Sequence, residues 1–344
     1  MRESDIVILN GDEALSLLAG RELEIVEVVR KAYEAHARGE SMLPHSMFLR
    51  FPDEERNRII ALPAYLGDGF SVAGIKWIAS FPANLERGME RASAVVILNS
   101  TETGRTRAII EGSAISAKRT AASAALAARH LHDVEAAQVG IIGCGLIGFE
   151  LVRFILATLP GVESLLIFDK HVDRAQRFKD KCRELSEKVE VRLAPDAATV
   201  LKNCPLTALA TTATTPHIRE LSQAPPRGTI LHVSLRDLAP EVILSADNVV
   251  DDVDHVCRAQ TSVHLAEQSS GDRDFIRCTL GDILLGRAGA RSSIHATTIF
   301  SPFGLGILDL AVAHFMFEQA LRQGVGTVIN SFFPASWTER AEGR

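Results

Sequence analysis

The sequence predicts an α/β protein: a Rossmann dinucleotide-binding domain joined to a second domain of mixed α+β type. Two observations carry the first half of that statement. Val139-Gly-Ile-Ile-Gly-Cys-Gly-Leu-Ile-Gly148 sets an apolar run against glycines in G-x-G-x-x-G spacing, and from Val139 onward short apolar runs alternate with helical ones. A third carries the second half: residues 46–111 are strand-like without that alternation and end in a hairpin.

The glycine stretch comes first because each glycine has a physical role. Val139 to Ile142 has no polar interruption and reads as a buried parallel strand. Gly143 permits a tight turn, Gly145 lets backbone approach a pyrophosphate, and Gly148 lets the following helix pack close to the strand. That helix is expected over Phe149 to Thr158, stopped by Pro160. Leu146 and Ile147, between the glycines, present amides at the helix N-terminus, where anions are favoured. A second strand, Ser164 to Phe168, ends in Asp169, about 20 residues past the glycines, where a ribose-binding carboxylate is expected. An acid there favours NAD, because it repels the 2′-phosphate of NADP.

Upstream, Ile6 to Leu9 reads as a strand and Asp12 to Leu18 as a short helix. Glu22 to Ala37 carries Ile25, Val28, Val29 and Tyr33 at helical spacing. Strands are expected at Ser46–Phe51, Arg58–Pro63 and Ser71–Ser80, with Ala92–Asn99 and Arg105–Glu111 forming the hairpin. Ser113 to His132 is a long alanine-rich helix. Downstream of Asp169, strands are expected at Glu190–Leu193, Leu206–Thr211, Thr229–Ser234, Asn248–Val253 and Ala296–Ser301. Ile307 to Gln323 is a helix expected to return to the first domain, and Ser331 to Arg344 is polar and loose. These elements place a nucleotide domain at 133–306 and the other at 1–132 with 307–344.

Bulk properties exclude several classes. The chain has 344 residues, 47% hydrophobic and 23% charged, the balance of an ordinary globular protein. A net charge of -6 without a strong basic cluster argues against nucleic acid as a partner. No apolar run approaches the roughly 18 residues of a membrane span, and the N-terminus lacks the apolar core of a signal peptide. Five scattered cysteines form no C-x-x-C pair, so a cytoplasmic protein without a zinc site is expected. The histidines offer no metal-ligand spacing either: His232 lies in an apolar strand, and His217, His255, His264, His295 and His314 are single.

A nicotinamide enzyme needs a group for the proton that accompanies hydride transfer, and groups that orient substrate. Asp237 follows the Thr229–Ser234 strand by three residues, which sets it at the sheet's carboxyl rim; the local alternative is a turn cap in Arg236-Asp-Leu-Ala-Pro240. Lys76 stands inside the apolar Gly74-Ile-Lys-Trp-Ile78, so it either faces solvent or lines a site, with Trp77 on the other face. Arg50 at the end of Met47-Phe-Leu-Arg50 and Arg91 after a charged loop are either surface cations or anion contacts. Arg119 lies among very small side chains in Ala117-Lys-Arg-Thr-Ala-Ala-Ser-Ala124, either as one exposed arginine or as a bidentate clamp for phosphate or carboxylate. Cys144 is a small filler in the glycine turn.

Taken together, Gly74-Ile-Lys76, Val95-Val-Ile-Leu-Asn99 with Thr103-Gly104, Lys118-Arg-Thr-Ala-Ala-Ser-Ala-Ala-Leu-Ala-Ala128, the glycine turn, and Asp237 with Leu244-Ser-Ala-Asp247 resemble the ornithine cyclodeaminase/μ-crystallin family. The resemblance covers nearly the whole chain. It implies a homodimer built through the first domain, which also binds substrate, and NAD on the second. It implies Asp237 as the proton-transfer carboxylate, Lys76 and Arg50 as substrate-carboxylate contacts, and Arg119 with Thr120 as cofactor phosphate contacts. Thr211 or Thr212, Val233, Ser234 and Gly304 match the rim that meets nicotinamide. Met89-Glu-Arg-Ala-Ser93 and the glycine turn look most like the branch that forms 2,3-diaminopropionate for siderophore or antibiotic assembly. That implies N-(2-amino-2-carboxyethyl)-L-glutamate as substrate, made by a pyridoxal-phosphate enzyme similar to cysteine synthase, with Arg91 as an extra anion contact. Ornithine or lysine cyclodeamination, alanine dehydrogenase or ketimine reductase activity, and μ-crystallin-type ligand binding are the alternatives on the same scaffold.

Overall fold

A computed structural model describes residues 2–132, 136–292, 297–334, 336 and 338. Ala296, where the last predicted strand of the nucleotide domain was expected to begin, His295, and most of the polar C-terminal tail lie outside the described residues.

β1 (Ile6–Leu9) leads into α1 (Gly11–Leu18) through Asn10. The Asn10 side chain accepts from Glu13 N at 3.1 Å and the Glu13 carboxylate accepts from Asn10 N at 2.8 Å, a reciprocal cap that sets where the helix starts. α2 (Glu22–Ala37) buries Ile25, Val29 and Tyr33 on one stripe, as the spacing predicts. β2 (Ser41–Met42), β3 (Met47–Phe51), β4 (Glu54–Leu66), β5 (Val72–Ser80), β6 (Ala92–Ser100) and β7 (Thr106–Glu111) follow, and then α3 (Ser113–Leu131). The second half runs β8 (Gln138–Ile142), α4 (Leu146–Thr158), β9 (Ser164–Phe168), α5 (Val172–Leu185), β10 (Glu190–Leu193), α6 (Ala197–Asn203), β11 (Leu206–Leu209) and β12 (Thr229–His232). It continues through α7 (Pro240–Leu244), β13 (Asp247–Val250), α8 (Val253–Val256), α9 (Ser262–Ser270), β14 (Ile276–Thr279), α10 (Leu280–Leu284) and β15 (Thr298–Ser301). α11 (Gly306–Gln323) and β16 (Thr327–Ile329) end the described chain.

The chain divides into two compact units. The first comprises Met1–Gly20, Glu40–Ser116 and Asp309–Arg344; the second comprises Arg21–Gly39 and Ala117–Leu308. This division differs from one at 132/133 and 306/307, because α2 and most of α3 pack within the nucleotide unit. Tyr33 Oη of α2 lies 2.7 Å from Ser123 Oγ of α3, and Lys118 of α3 pairs with Glu150 of α4 at 3.2 Å, all four side chains buried. The alanines of α3 from Ala121 to Ala128 are buried too, which is what small side chains permit.

In the first unit one sheet has the order β16-β1-β7-β6-β5-β4-β2, with β3 on β4. Only β1 and β7 pair in parallel; the other pairs are antiparallel. Register sets Leu62, Lys76 and Val96 side by side on one buried face, and Ala61, Trp77 and Val95 on the other. The part of α11 in this unit packs on the first face: Leu310 meets Gly74, and Arg107 stacks over Phe317 at 5.6 Å.

The second unit holds a wholly parallel sheet in the order β10-β9-β8-β11-β12-β15-β13-β14. β11, β12, β13 and β15 are buried at every position, as strands covered on both faces must be. The strand order reverses between β8 and β11, and such a switch point is where open α/β sheets bind ligands, beyond the strands' carboxyl ends. β2, β14 and β16 were not foreseen; each is short and lacks an alternating pattern.

Candidate active site

β8 runs into Gly143 with φ at +103°, a left-handed turn that glycine adopts readily. A β-carbon there would lie 2.4 Å from Ala210 O, so the turn presses directly on the end of β11. A β-carbon on Gly148 would lie 2.3 Å from Gly143 O, which is why the helix can begin at Leu146, three residues before the predicted start. Gly145 is different: nothing lies within 4 Å of the place its β-carbon would take. It caps α4 without a side-chain bond, leaving the first amides, those of Leu146, Ile147 and Gly148, uncapped by any side chain. Open space before such a helix start fits a pyrophosphate.

Asp169, at the end of β9, is tied to that turn. Its Oδ2 accepts from Cys144 N at 3.0 Å and its Oδ1 from His171 N at 2.9 Å, which holds the carboxylate at the edge of the same turn. Cys144 is buried, and burial pushes its thiol up to about 12, so it carries no thiolate chemistry.

Beside the turn, the ends of β11 and β12 converge on Asp237. The chain leaves β12 through Val233 and Ser234, and Leu235 takes a φ of +68°, an uncommon conformation for a branched residue. That reversal brings Asp237 back under the strand ends, where it is fully buried. The hydroxyls of Thr211 and Ser234 donate to its two carboxylate oxygens, and His232 Nε2 lies 3.4 Å from Oδ2. Burial alone would raise the Asp237 pKa, but the His232 contact and the two hydroxyl bonds outweigh it and leave the acid below its ordinary value. The turn-cap alternative fails, since α7 is entered through Ala239 with no side-chain cap. Thr212 is exposed beside Thr211, and Val233 N donates to Leu231 O at 3.0 Å.

Arg119 and Gly304 are also brought together. Arg119 is 8% exposed, and a β-carbon on Gly304 would lie 2.7 Å from its Nη1. Only glycine, here at φ +93°, leaves room for the guanidinium. Gly304 N and Phe303 N donate to the buried Asp251 at 2.7 and 2.9 Å, and burial raises the pKa of that acid. Thr120, next along α3, is half-buried.

In the first unit Lys76 does not face solvent. It is 2% exposed, with Nζ 2.7 Å from Asp309 Oδ2 and 3.3 Å from Ser116 Oγ. Trp77 points the other way, as alternation requires, and is 43% exposed. Arg50 shares the Lys76 face, but register pairs it with Arg58 and so with Ser80, four residues along β5 from Lys76. Arg50 is exposed and stacks on Phe48 at 5.6 Å. Arg91 is half-buried, and burial holds its guanidinium pKa below the usual value.

Four side chains in these clusters were not singled out for a role: Asp309, Ser116, His232 and Asp251. Asp309 had the same signal as Lys76, a charge between apolar neighbours in Leu308-Asp-Leu310, but their pairing spans more than 230 positions. Among the described residues no group of histidine, cysteine and acidic side chains has the arrangement of a metal site, and no helix is long and apolar enough to cross a membrane.

Residues 17–324 match the model of the ornithine cyclodeaminase/mu-crystallin family. The chain belongs to that family. Among relatives within it, N-((2S)-2-amino-2-carboxyethyl)-L-glutamate dehydrogenase of Staphylococcus aureus is 31% identical over 313 residues, covering 89% of this chain and 93% of that protein. Alanine dehydrogenase of Archaeoglobus fulgidus is 27% identical over 335 residues, covering 95% and 99%. Solved structures agree on the family fold. An archaeal alanine dehydrogenase dimer with bound NAD superposes with a TM-score of 0.85 at 26% identity, covering 96% of this chain and all of that one. A Thermococcus litoralis Δ1-pyrroline-2-carboxylate reductase, with NADH and L-proline, gives 0.87 at 24% identity, covering 94% and 99%.

Proposed function

We propose that this chain is an NAD-dependent oxidoreductase of an amino-acid CH–NH bond, and that it cleaves N-(2-amino-2-carboxyethyl)-L-glutamate oxidatively to 2,3-diaminopropionate and 2-oxoglutarate. The observation that carries the reading is Asp237: an acid held in its charged form at the carboxyl edge, one strand beyond the strand that meets the glycine turn. Gly143, Gly145, Leu146, Ile147 and Gly148 hold the cofactor's pyrophosphate in this reading, Asp169 its ribose, and Arg119, Thr120, Thr211, Thr212, Val233, Ser234 and Gly304 complete the cofactor contacts. NAD, when bound, supplies the hydride acceptor. Asp237 takes the proton that the substrate nitrogen must lose before its lone pair can assist departure of hydride from the adjoining carbon. Once that proton has been passed on, Asp237 takes a second from the water that adds to the resulting C=N bond.

Lys76, fixed by Asp309, binds a substrate carboxylate. Arg50 lies on the same face about 13 Å along the strands, from four residues at the usual strand rise. Cations that far apart suit a substrate with separated carboxylates, and the adduct carries three. Arg91 and Arg119 are the further anion contacts. A pyridoxal-phosphate enzyme joining an amino-acrylate unit to glutamate would supply the adduct. The same reading makes the protein a cytoplasmic homodimer, and the five cysteines, all free thiols, suit a reducing compartment.

The test is the absorbance of NADH with pure protein, NAD and each candidate substrate. Net NADH with the glutamate adduct and none with ornithine is the expected result. Ammonia and proline from ornithine without net NADH would make it a cyclodeaminase, and NADH with alanine alone an alanine dehydrogenase. Asp237→Asn should bind NAD as the parent does while turnover falls by about 10²–10⁴.

A further inference from the structure

We propose that His232 is a second proton site behind Asp237, so that the pair holds two protons during one turnover. The inference rests on the oxidative cleavage just described and gives a role to a residue that description leaves idle. His232 ends β12 and is fully buried. Its Nε2 lies 3.4 Å from Asp237 Oδ2 and 3.3 Å from Asp237 N, and its Nδ1 lies 3.2 Å from Ser301 Oγ at the end of β15. Two neutral tautomers fit this geometry: Nε2–H can donate to Asp237 Oδ2, the contact that lowers that acid's pKa, or Nδ1–H can donate to Ser301 Oγ while Nε2 accepts from Asp237 N, and the second leaves a lone pair for a proton arriving at Asp237. A proton that reaches Asp237 therefore has a basic nitrogen beside it. Passing the proton inward returns Asp237 to carboxylate next to an imidazolium.

On the outer side, Asp237 is bonded to the hydroxyls of Thr211 and Ser234, both half-exposed, and these are its connection to the surface. His217 also faces it, with Nε2 4.0 Å from Oδ1, and is 45% exposed.

The reaction needs such a store. The secondary ammonium of the substrate first gives up one proton. Once the carbon has lost its hydride, the nitrogen is a doubly bonded cation, and water adds to the carbon, forming a C–O bond and releasing a second proton. Neither proton has yet gone back to nitrogen, and one carboxylate holds only one. A proton then returns to nitrogen, the C–N bond breaks, the C=O bond forms, and the hydroxyl proton leaves. The sum is a secondary ammonium, NAD+ and water in, and a primary ammonium, 2-oxoglutarate, NADH and one proton out. His232 thus acts through Asp237 as a positioning residue that also carries the second proton.

Stopped-flow mixing of His232→Gln with NAD and the glutamate adduct tests this. Glutamine keeps a polar group toward Asp237 but does not titrate. The expected result is rapid formation of one NADH per site at close to the parent rate, followed by a steady state slowed about 10²-fold, with NAD affinity by fluorescence titration unchanged. In ¹⁵N-histidine spectra the parent should show a buried histidine that gains its proton as Asp237 does, and Asp237→Asn should uncouple the two. If His232→Gln turns over within twofold of the parent, or if burst and steady state fall by the same factor, the inference is overturned. His232→Asn, which keeps the Ser301 side of the contact, decides the matter in the same assay should the glutamine variant not fold. Loss of the burst itself is expected only in Asp237→Asn. A near-normal burst there would remove Asp237 from its role, a failure of the oxidative reading and not of His232 alone.

Discussion

Lys76 Nζ lies 2.7 Å from Asp309 Oδ2, with the two side chains 2% and 0% exposed, and the pair joins the middle of the first sheet to the first turn of α11. Buried ion pairs add little net stability, but removing one partner strands a charge in an apolar interior. Asp309→Ala should therefore cost about 3–5 kcal/mol in urea unfolding. The double variant Lys76→Met/Asp309→Leu, which removes both charges, should recover most of that loss and still turn nothing over. Equal stability of Asp309→Ala and the parent would mean the lysine is neutral or reaches water.

The glycine turn separates cofactor space from packing space. Gly148 touches backbone, Gly143 O, where a methyl would sit 2.3 Å away, whereas Gly145 faces open space. Gly148→Ala should lose about 2 kcal/mol of stability. Gly145→Ala should keep the parent's Tm and lose about tenfold or more in NAD affinity by calorimetric titration. If the two variants behaved alike, the turn would have a structural role only.

How much of this was legible in the chain depends on the range of the interactions involved. The glycine turn, β9 and Asp169 are local, and all three stand where spacing put them. Asp237 was readable as a rim residue, but its turn-cap alternative fell only to three-dimensional structure: α7 is entered through Ala239 with no side-chain cap, and the Asp237 carboxylate turns to Thr211 and Ser234 instead. The pairing of Arg119 with Gly304 joins a helix to a loop some 185 positions on, and no periodicity reports that. The grouping of α2 with the nucleotide unit has a similar origin: Tyr33 of α2 meets Ser123 of α3, residues 90 apart. Patterns of two and 3.6 residues find faces; they do not say which faces meet.

Asp252 ties α2 to α8 through two histidines, accepting from or facing His255 Nδ1 at 2.8 Å and His36 Nε2 at 3.1 Å. Burial works against the charged form of His255, but its bond to Asp252 and the nearby Asp251 charge prevail, so its folded pKa stands above the ordinary 6.5. A raised folded pKa means the protonated form is favoured by folding. Its contribution is full below pH 6.5 and is lost as pH rises through the folded value. Asp252 is shifted the opposite way, far below 3.8; burial opposes that shift and the histidine bonds outweigh it, so its contribution persists until strongly acid pH. His255→Gln should accordingly melt below the parent by the widest margin below pH 6.5, with the gap closing as pH rises through the folded value. A gap that widened with rising pH would reverse the assignment.

The outer face of the first sheet bears on assembly. Register and alternation put Leu49, Tyr65, Trp77 and Val95 on the face away from Lys76, and all four are exposed. A contiguous apolar sheet face of this kind is rare on monomers and typical of permanent interfaces between identical chains. A second copy stacked on this face would bury Trp77, the largest of the four, near its centre, where aromatic anchors carry most of the binding energy. The parent should sediment as a dimer, and Trp77→Glu, which would place a carboxylate in that interface at a desolvation cost of several kcal/mol, should sediment as a folded monomer. Because Trp77 adjoins Lys76 in β5, the monomer should also bind substrate less tightly while retaining NAD affinity, since the glycine turn lies in the other unit. A parent that sediments as a monomer at micromolar concentration, or a Trp77→Glu variant that remains dimeric, would move the interface elsewhere.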